Sequence, residues 1–415
     1  MADARPLLSL DEALARLVAG AAPHAITQDE SVSTFDALGR VLAGDVLSAL
    51  DVPPEDNTAM DGYALRCSDV PEAGVVLPVV QRIPAGFVGQ PLEAGSAARI
   101  FTGGQVPAGA DAVVMQEHCE PVAGDGLGAV RVNVLPTRGQ WIRRRGEDVR
   151  LGAIVLRRGT RLTPQALGMA ASVGAAVLPV VRKPRVALFS TGDELVMPGE
   201  PLRPGAIYNS NRYTLRGLLQ AAGCDVTDLG IVPDRLDATR AALRSAAQGH
   251  DLILTSGGVS AGEEDHLRPA VQSEGWIENW QIAIKPGKPL AFGAVRRDDD
   301  RSALFMGLPG NPVSSFVTFL VAVAPVLRAL QGAPTALPSG LPLRADFDWP
   351  RPDRRREFLR VQLNREGGLD LFGNQSSGVL TSAVWADGLV DNPAQQVIRC
   401  GDTVRFLPLA ELMAR

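Results

Sequence analysis

Apolar positions along the chain change their spacing twice, and each change marks a different kind of structure. Ser9 and Glu12 form the pattern of a capping box. Leu14, Leu17 and Val18 follow at helical spacing, which predicts a short amphipathic helix at the start. Between residues 46 and 179 the pattern becomes short β-branched runs broken by Gly and Pro, as at 75–80, 112–116 and 130–135. This is a β-rich region with long loops.

At Arg185 the pattern switches again. VALFST, residues 186–191, reads as a buried strand, and Asn209 or Ser210 caps a helix that runs to Ala222 and stops at Gly223. DVTDLGIV is a second strand, residues 236–248 a second helix, and LILTS a third strand. Alternation of this kind predicts a parallel sheet with helices on both faces. ALFMGLPGNPVSSFVTFLVAVAPVL adds a strand, a tight loop and a helix whose first turn holds Pro312 and Ser314. The linker-like stretch 332–340 leads into a strand-rich segment, 341–409, with turns at Gly367-Gly368 and Asp387-Gly388. The fold class is therefore multidomain: a doubly wound α/β unit with β-rich units before it and a small β unit after it.

Composition narrows the function classes. The 415 residues are 46% apolar and 21% charged, enough for two to four compact units. A net charge of -5 with only short Arg runs gives no extended basic face, so neither nucleic acid nor an anionic membrane is an expected partner. Cys67, Cys119, Cys224 and Cys400 lie far apart, without zinc-ligand spacing, and read as reduced, buried thiols of a cytoplasmic protein. Asp3, Asp11 and Glu12 interrupt any signal-peptide pattern, and the longest apolar run, 316–327, is short for a bilayer.

Candidate chemistry gathers where the α/β strands end, because ligands of open α/β sheets sit outside the carboxyl ends of the strands. Those ends are Thr191-Gly192-Asp193-Glu194, Asp234, residues 256–265, and residues 307–311. Gly257, Gly258 and Gly262 let backbone amides approach an anion, while Ser256 and Ser260 add hydroxyl donors. Glu194, Asp234 and Asp265 beside a phosphate group imply a bridging hard cation such as Mg²⁺. In IKPGKP the prolines stiffen a turn carrying Lys285 and Lys288, which suits a compact tetrahedral oxyanion. The loop Pro309, Gly310, Asn311, Pro312 and Ser314 enters a helix N-terminus and suggests a second anion position.

Polar loops elsewhere are more ambiguous. Asp61 in DNTAMDGYA, Thr102 in RIFTGGQVPAGAD and Asp148 in RRRGED sit in polar loops of the N-terminal half; such residue types also make ordinary solvated turns. RRREFLR (354–360) and NQSSG (374–378) offer guanidinium and hydroxyl groups to an oxyanion, or form a solvated strand edge. His118 and His266 read as structural. GxSxG, Walker and kinase patterns do not occur, so hydrolase and kinase readings have little support.

TSGGVSAGEED, IKPGKP, GLPGNPVS, DNTAMDGYA and RIFTGGQVPAGADAVV closely resemble the molybdopterin molybdenumtransferase family, the MoeA type, and are similar to the E domain of gephyrin. Nearly the whole chain carries the resemblance, in the family's order. It implies an elongated four-domain homodimer: residues 1–50 with 136–180, an inserted β-rich domain at 51–135, the α/β molybdopterin-binding domain at 181–331, and a β-barrel-like domain at 338–415. The implied reaction inserts molybdenum from molybdate into adenylylated molybdopterin with Mg²⁺, releasing AMP.

By the same resemblance Glu194, Asp234 and Asp265 hold the metal, and Ser256, Gly257, Gly258 and Ser260 line the phosphate site. Molybdate falls to Lys285, Lys288, Arg355 and Ser377, while Asp61, Thr102 and Asp148 reach the site from the partner subunit. Transient contacts with the molybdopterin adenylyltransferase and with cofactor-accepting enzymes also follow. His266 replaces an expected aromatic residue, Thr58 an expected Ser, and three consecutive arginines leave open which one matches the family's. A scaffold that merely kept the fold would have lost these acids and lysines. The adenylylating enzyme of the pathway would lack the long β-rich N-terminal half.

Overall fold

The computed structural model describes residues 7–258 and 266–414. Helix α1, Leu10–Ala21, starts at Ser9, whose hydroxyl accepts the Glu12 N–H while the Glu12 carboxylate accepts the Ser9 N–H. The capping box is thus formed as read. Its buried stripe is Leu10, Ala13, Leu17 and Ala21, and this stripe packs in the core of the central α/β sheet.

That sheet is built from β1 (Arg185–Thr191), β2 (Asp225–Val232), β3 (Leu252–Ser256), β4 (Gly275–Gln281), β5 (Pro289–Arg296) and β6 (Ser302–Leu308), in the order β2-β1-β3-β6-β5-β4. The connecting helices are α2 (Ser210–Ala221), α3 (Leu236–Ala247) and α4 (Leu267–Glu274). Four strands are parallel, but β5 runs antiparallel to β6 and β4 antiparallel to β5. The four strands read from the sequence are parallel as expected; the hairpin β4–β5, which the sequence reading did not include, makes the sheet mixed. That hairpin interrupts the strand-helix alternation between α4 and β6.

Alternate side chains of the strands feed two cores. Val186, Leu188, Leu252, Leu254, Leu304 and Met306 face α1, α2 and the helix over Pro312–Leu330, whereas Ala187, Phe189, Ile253 and Phe305 face α3 and α4. Both faces being covered explains why these strands read as continuous apolar runs. The helix Pro312–Leu330 is longer than its apolar run suggested, and by length and composition it passes for a membrane span. Here 94% of its apolar window is buried inside the protein, as the central core helix.

Smaller cores flank this one. Asp29–Ser33 pairs with Val177–Val181, and Val46–Leu47 with Ile154–Leu156, around Leu42, Leu162, Ala170 and Val180. Residues 62–132 form a six-stranded sheet in which Gly62–Leu65 lies between Ala112–Met115 and Ala97–Ile100. In the C-terminal part, Arg356–Leu363 pairs with Gly388–Asn392, which pairs with Thr403–Pro408, followed by Leu341–Arg344. Ala345 then bridges Leu369, whose strand pairs back on Arg356–Leu363, so the sheet curls nearly shut. Short helices at Thr381–Trp385 and Leu409–Ala414 escaped the sequence reading.

The join between the central sheet and the C-terminal part matters most for the site. Between β4 and β5 the chain makes an excursion in which Ile284–Lys285 pairs in parallel with Arg356 and Glu357. One residue pair thus belongs to the C-terminal sheet while its neighbours belong to the central one. The cysteines are all free, but only Cys224 is buried; Cys67 and Cys119 are half-buried and Cys400 is exposed, which corrects the expectation of four buried thiols.

Candidate active site

A cleft of about 1000 Å³ opens where the carboxyl ends of β1, β3 and β6 meet the C-terminal sheet. On its central wall, Ser256, Gly257 and Gly258 turn sharply after β3. Both glycines have positive φ, +89° and +65°, and a Cβ on either would come within 2.9 Å of Thr191. Glycine is required here by conformation and by close approach together. The Ser256 hydroxyl lies 3.3 Å from that of Ser190, in the sheet interior. Thr191 and Glu194 continue this wall from β1, and Pro309, Gly310, Asn311, Pro312 and Ser314 from β6.

The opposite corner is cationic. Lys285, Lys288, Arg355 and Ser377 line it together, although they come from three separated segments. Lys285 Nζ lies 3.1 Å from Glu357 Oε1 and 3.5 Å from Asp353 Oδ2. Arg355 donates to both oxygens of Asp353 at 2.9 and 2.8 Å. This pairing holds the Asp353 carboxyl well below the usual carboxylate range. Glu357, 1% exposed, also accepts from Trp349 Nε1 at 2.7 Å and from the Asp353 N–H at 3.1 Å. The two carboxylates therefore fix the two cations from behind, leaving their outer sides to the cleft. Among Arg354, Arg355 and Arg356, Arg355 alone lines the cleft; Arg354 is exposed, and Arg356 is bound to Asp391.

The first turn of the central helix meets the C-terminal loop directly, since the Val313 N–H donates to the Ser377 carbonyl at 3.0 Å. Pro312 has no N–H, so the helix N-terminus offers an anion fewer amides than its position suggested. Gly287, at φ +115°, closes the lysine turn against the same helix. A Cβ there would overlap Thr318 Oγ1, a buried hydroxyl without a hydrogen-bond partner.

Several expected residues stand elsewhere. Gly192 and Asp193 lie beside the cleft without lining it. Asp234 follows β2, the edge strand, and does not line the cleft either. In the sheet β1 stands between β2 and β3. Ser260, Gly262 and Asp265 lie outside the described residues. Among the described residues no three His, Cys, Asp or Glu side chains form a metal cluster. Mg²⁺ commonly takes one or two carboxylates and completes its shell with substrate phosphates and water. Glu194, exposed in the cleft wall, fits that habit by itself.

Asp61, Thr102 and Asp148 are not part of this chain's cleft. Asp61 Oδ1 accepts the Thr102 N–H and hydroxyl, both at 2.7 Å, and these bonds hold the Asp61 carboxyl below its ordinary pKa. Asn57–Thr58 pairs with Ile142–Arg143, and Thr58 exchanges backbone bonds with Gly103 and Gly104. The loops that looked separate in sequence thus meet at one end of the inserted sheet. Asp148 is exposed in the turn where Arg144 and Arg145 hold Asp56 and Asp51.

Sequence reading missed Leu195, Ile207, Tyr208 and Asn211 as cleft residues, took Asn209 or Ser210 only for a helix cap, and had Gln375 and Ser376 only within the ambiguous NQSSG stretch. Asn209 does cap α2, its Oδ1 accepting the Arg212 N–H, while Asn211 Nδ2 donates to the Gly310 carbonyl at 2.7 Å. Their remaining amide atoms, Asn209 Nδ2 and Asn211 Oδ1, are buried without a partner. The repeated Asn around Ser210 was the one signal available.

A glycine-built turn facing a cationic corner across one cleft is an arrangement suited to holding two anionic groups side by side. Comparison with known proteins makes this specific. Residues 8–174 match the MoeA N-terminal region (domain I and II), 187–329 a probable molybdopterin binding domain, and 342–409 the MoeA C-terminal region (domain IV). Molybdopterin molybdenumtransferase of Haemophilus influenzae is 38% identical over 93% of this chain and 95% of its own. A second relative of that name from Mycobacterium tuberculosis is 38% identical over 88% and 91%. The crystal structure of the molybdopterin biosynthesis moeA protein from Pyrococcus horikoshii superposes with a TM-score of 0.79 at 29% identity, covering 97% of this chain and 99% of that one. The chain belongs to the MoeA family of molybdopterin molybdenumtransferases, enzymes of molybdenum cofactor biosynthesis.

Proposed function

We propose that the cleft inserts molybdenum from molybdate into adenylylated molybdopterin and releases AMP. The observation that carries this reading is the pairing of two anion positions in one cleft: the Ser256-Gly257-Gly258 turn and the corner of Lys285, Lys288, Arg355 and Ser377. Metal transfer requires the dithiolene and the tetrahedral oxyanion to be held side by side, and such positioning lowers the barrier of a bimolecular step. The glycine turn and the β6 loop hold the phosphorylated pterin, while the lysines and Arg355 orient molybdate. Glu194 faces the phosphoanhydride, where Mg²⁺, when bound, supplies charge neutralisation; Asp265 would join it from the segment outside the described residues, and Asp234 from the end of β2.

Further, the protein works as a homodimer in the cytoplasm, and Asp61, Thr102 and Asp148 complete the cleft of the partner subunit. The adenylyltransferase that makes the substrate and the enzymes that accept the cofactor would contact it transiently. The test incubates purified protein with adenylylated molybdopterin, Mg²⁺ and molybdate and follows AMP. Molybdate-dependent AMP release, lost in Lys288→Ala, is the expected result. AMP release indifferent to molybdate sinks the proposal.

A further inference from the structure

Charge in the oxyanion corner does not cancel, and one of its sources lies beneath the surface. Lys285, Lys288, Arg355 and Arg360 face or underlie the corner, against the carboxylates of Asp353 and Glu357. Among the described residues, four cations against two anions leave two positive charges. The neighbouring Arg356 and Arg405 are matched by Asp391 and Asp11, and so add nothing to the excess.

Arg360 is the unusual member. It is 1% exposed in the strand Arg356–Leu363, and its guanidinium donates to the Ser382 hydroxyl at 3.2 Å, the Phe358 carbonyl at 3.0 Å and the Ser376 carbonyl at 3.5 Å. All three acceptors are neutral. Among the described residues no carboxylate pairs with it. Burial pushes the guanidinium down to about 10, which leaves it charged at neutral pH. Buried cations are ordinarily paired because an uncompensated one is strongly unfavourable.

The same residue anchors the loop that lines the corner. Gln375 accepts the Arg360 N–H at 2.9 Å and donates to the Arg360 carbonyl at 3.0 Å. Ser376, bonded to the guanidinium, is followed by Ser377 at the cleft surface. Among the described residues no anion answers a charge held there, and the cleft lies beside it.

We propose that Arg360 is a specificity-determining residue whose unpaired buried charge, with that of Lys288, makes the corner select tetrahedral dianions over monoanions of the same shape. This rests on the molybdate reading of the corner. Coulombic attraction scales with ligand charge, so losing one fixed cation weakens a dianion by twice the logarithm that it weakens a monoanion. A packing defect would weaken both alike.

The experiment measures binding of molybdate and of perrhenate, its tetrahedral monoanionic counterpart, to the full-length protein by calorimetry at low salt. The wild type should bind molybdate at least tenfold more tightly. In Arg360→Met a roughly tenfold loss for molybdate should accompany about a threefold loss for perrhenate. Arg360→Gln, which keeps hydrogen-bonding groups without charge, should show the same two-to-one ratio of logarithms. Equal losses for both anions in the variants overturn the proposal; so do equal affinities in the wild type, which can be read even if neither variant folds well enough to measure. Failure of the wild type to bind any oxyanion overturns the molybdate reading itself, and Lys288→Ala places the binding by weakening both anions in this corner.

Discussion

Replacing Gly287 by alanine tests how the lysine turn is held. At φ +115° an L-residue sits in a sparsely populated region, which costs about 1–3 kcal/mol. The new methyl would also overlap Thr318 Oγ1, with Ile284 Cδ1 at 3.3 Å and the Ser314 carbonyl at 3.5 Å leaving little room to retreat. Overpacking of this sort adds about 1–3 kcal/mol. The sum, about 4 kcal/mol, should lower the melting temperature of the α/β unit by about 10 °C. Because the turn shifts Lys285 and Lys288 together, molybdate affinity should fall roughly tenfold or more. Adding Thr318→Ala removes the overlapping hydroxyl, so the double variant should regain about half of the lost stability while the backbone penalty stays. Differential scanning calorimetry and molybdate titration decide it. A Gly287→Ala protein that melts and binds like the wild type refutes the reasoning.

Other consequences follow from single contacts. Mixing Asp61→Asn with Lys288→Ala, each inactive alone, should restore about a quarter of wild-type turnover, since half of randomly exchanged dimers are mixed and each has one intact site; no restoration means the loops do not cross between subunits. Glu274, bonded to Arg244 and Arg240, is held down to about 2, so its stabilising contribution is complete above its ordinary pKa of 4.5 and fades as pH falls towards 2. The stability gap between wild type and Glu274→Gln in denaturant titrations should therefore close over that window and be constant above it. Thiol reagents should label the exposed Cys400 first and Cys224 last, because burial pushes the Cys224 thiol up to about 12; peptide mapping reads the order.

What the sequence made legible follows from where burial is local. β1 and β3 were readable because strands covered on both faces are continuous apolar runs, and α2 because Asn209 and Gly223 punctuate it. The glycine turn and the lysine turn were readable as chemistry for a similar reason: each is a compact motif. Long-range pairing was not. Nothing near Ile284–Lys285 announces that it joins a strand some seventy residues later, so the hairpin that carries the lysines, and the role of Glu357 and Asp353 behind them, were invisible. RRREFLR also read as a possible solvated edge, although Arg356–Leu363 lies between two strands and buries Glu357 and Arg360. Charged residues in a central strand break the usual pattern, and here they mark the site. Asp234 stands at the end of the edge strand β2, outside the cleft lining, a placement that local spacing does not reveal.

Whether the cationic corner receives molybdate is answered most directly by a crystal structure of the protein soaked with molybdate, located by the anomalous scattering of molybdenum. One tetrahedral ion contacted by Lys285, Lys288, Arg355 and Ser377 is the expected result. Molybdate bound elsewhere, with this corner empty in an active enzyme, contradicts it.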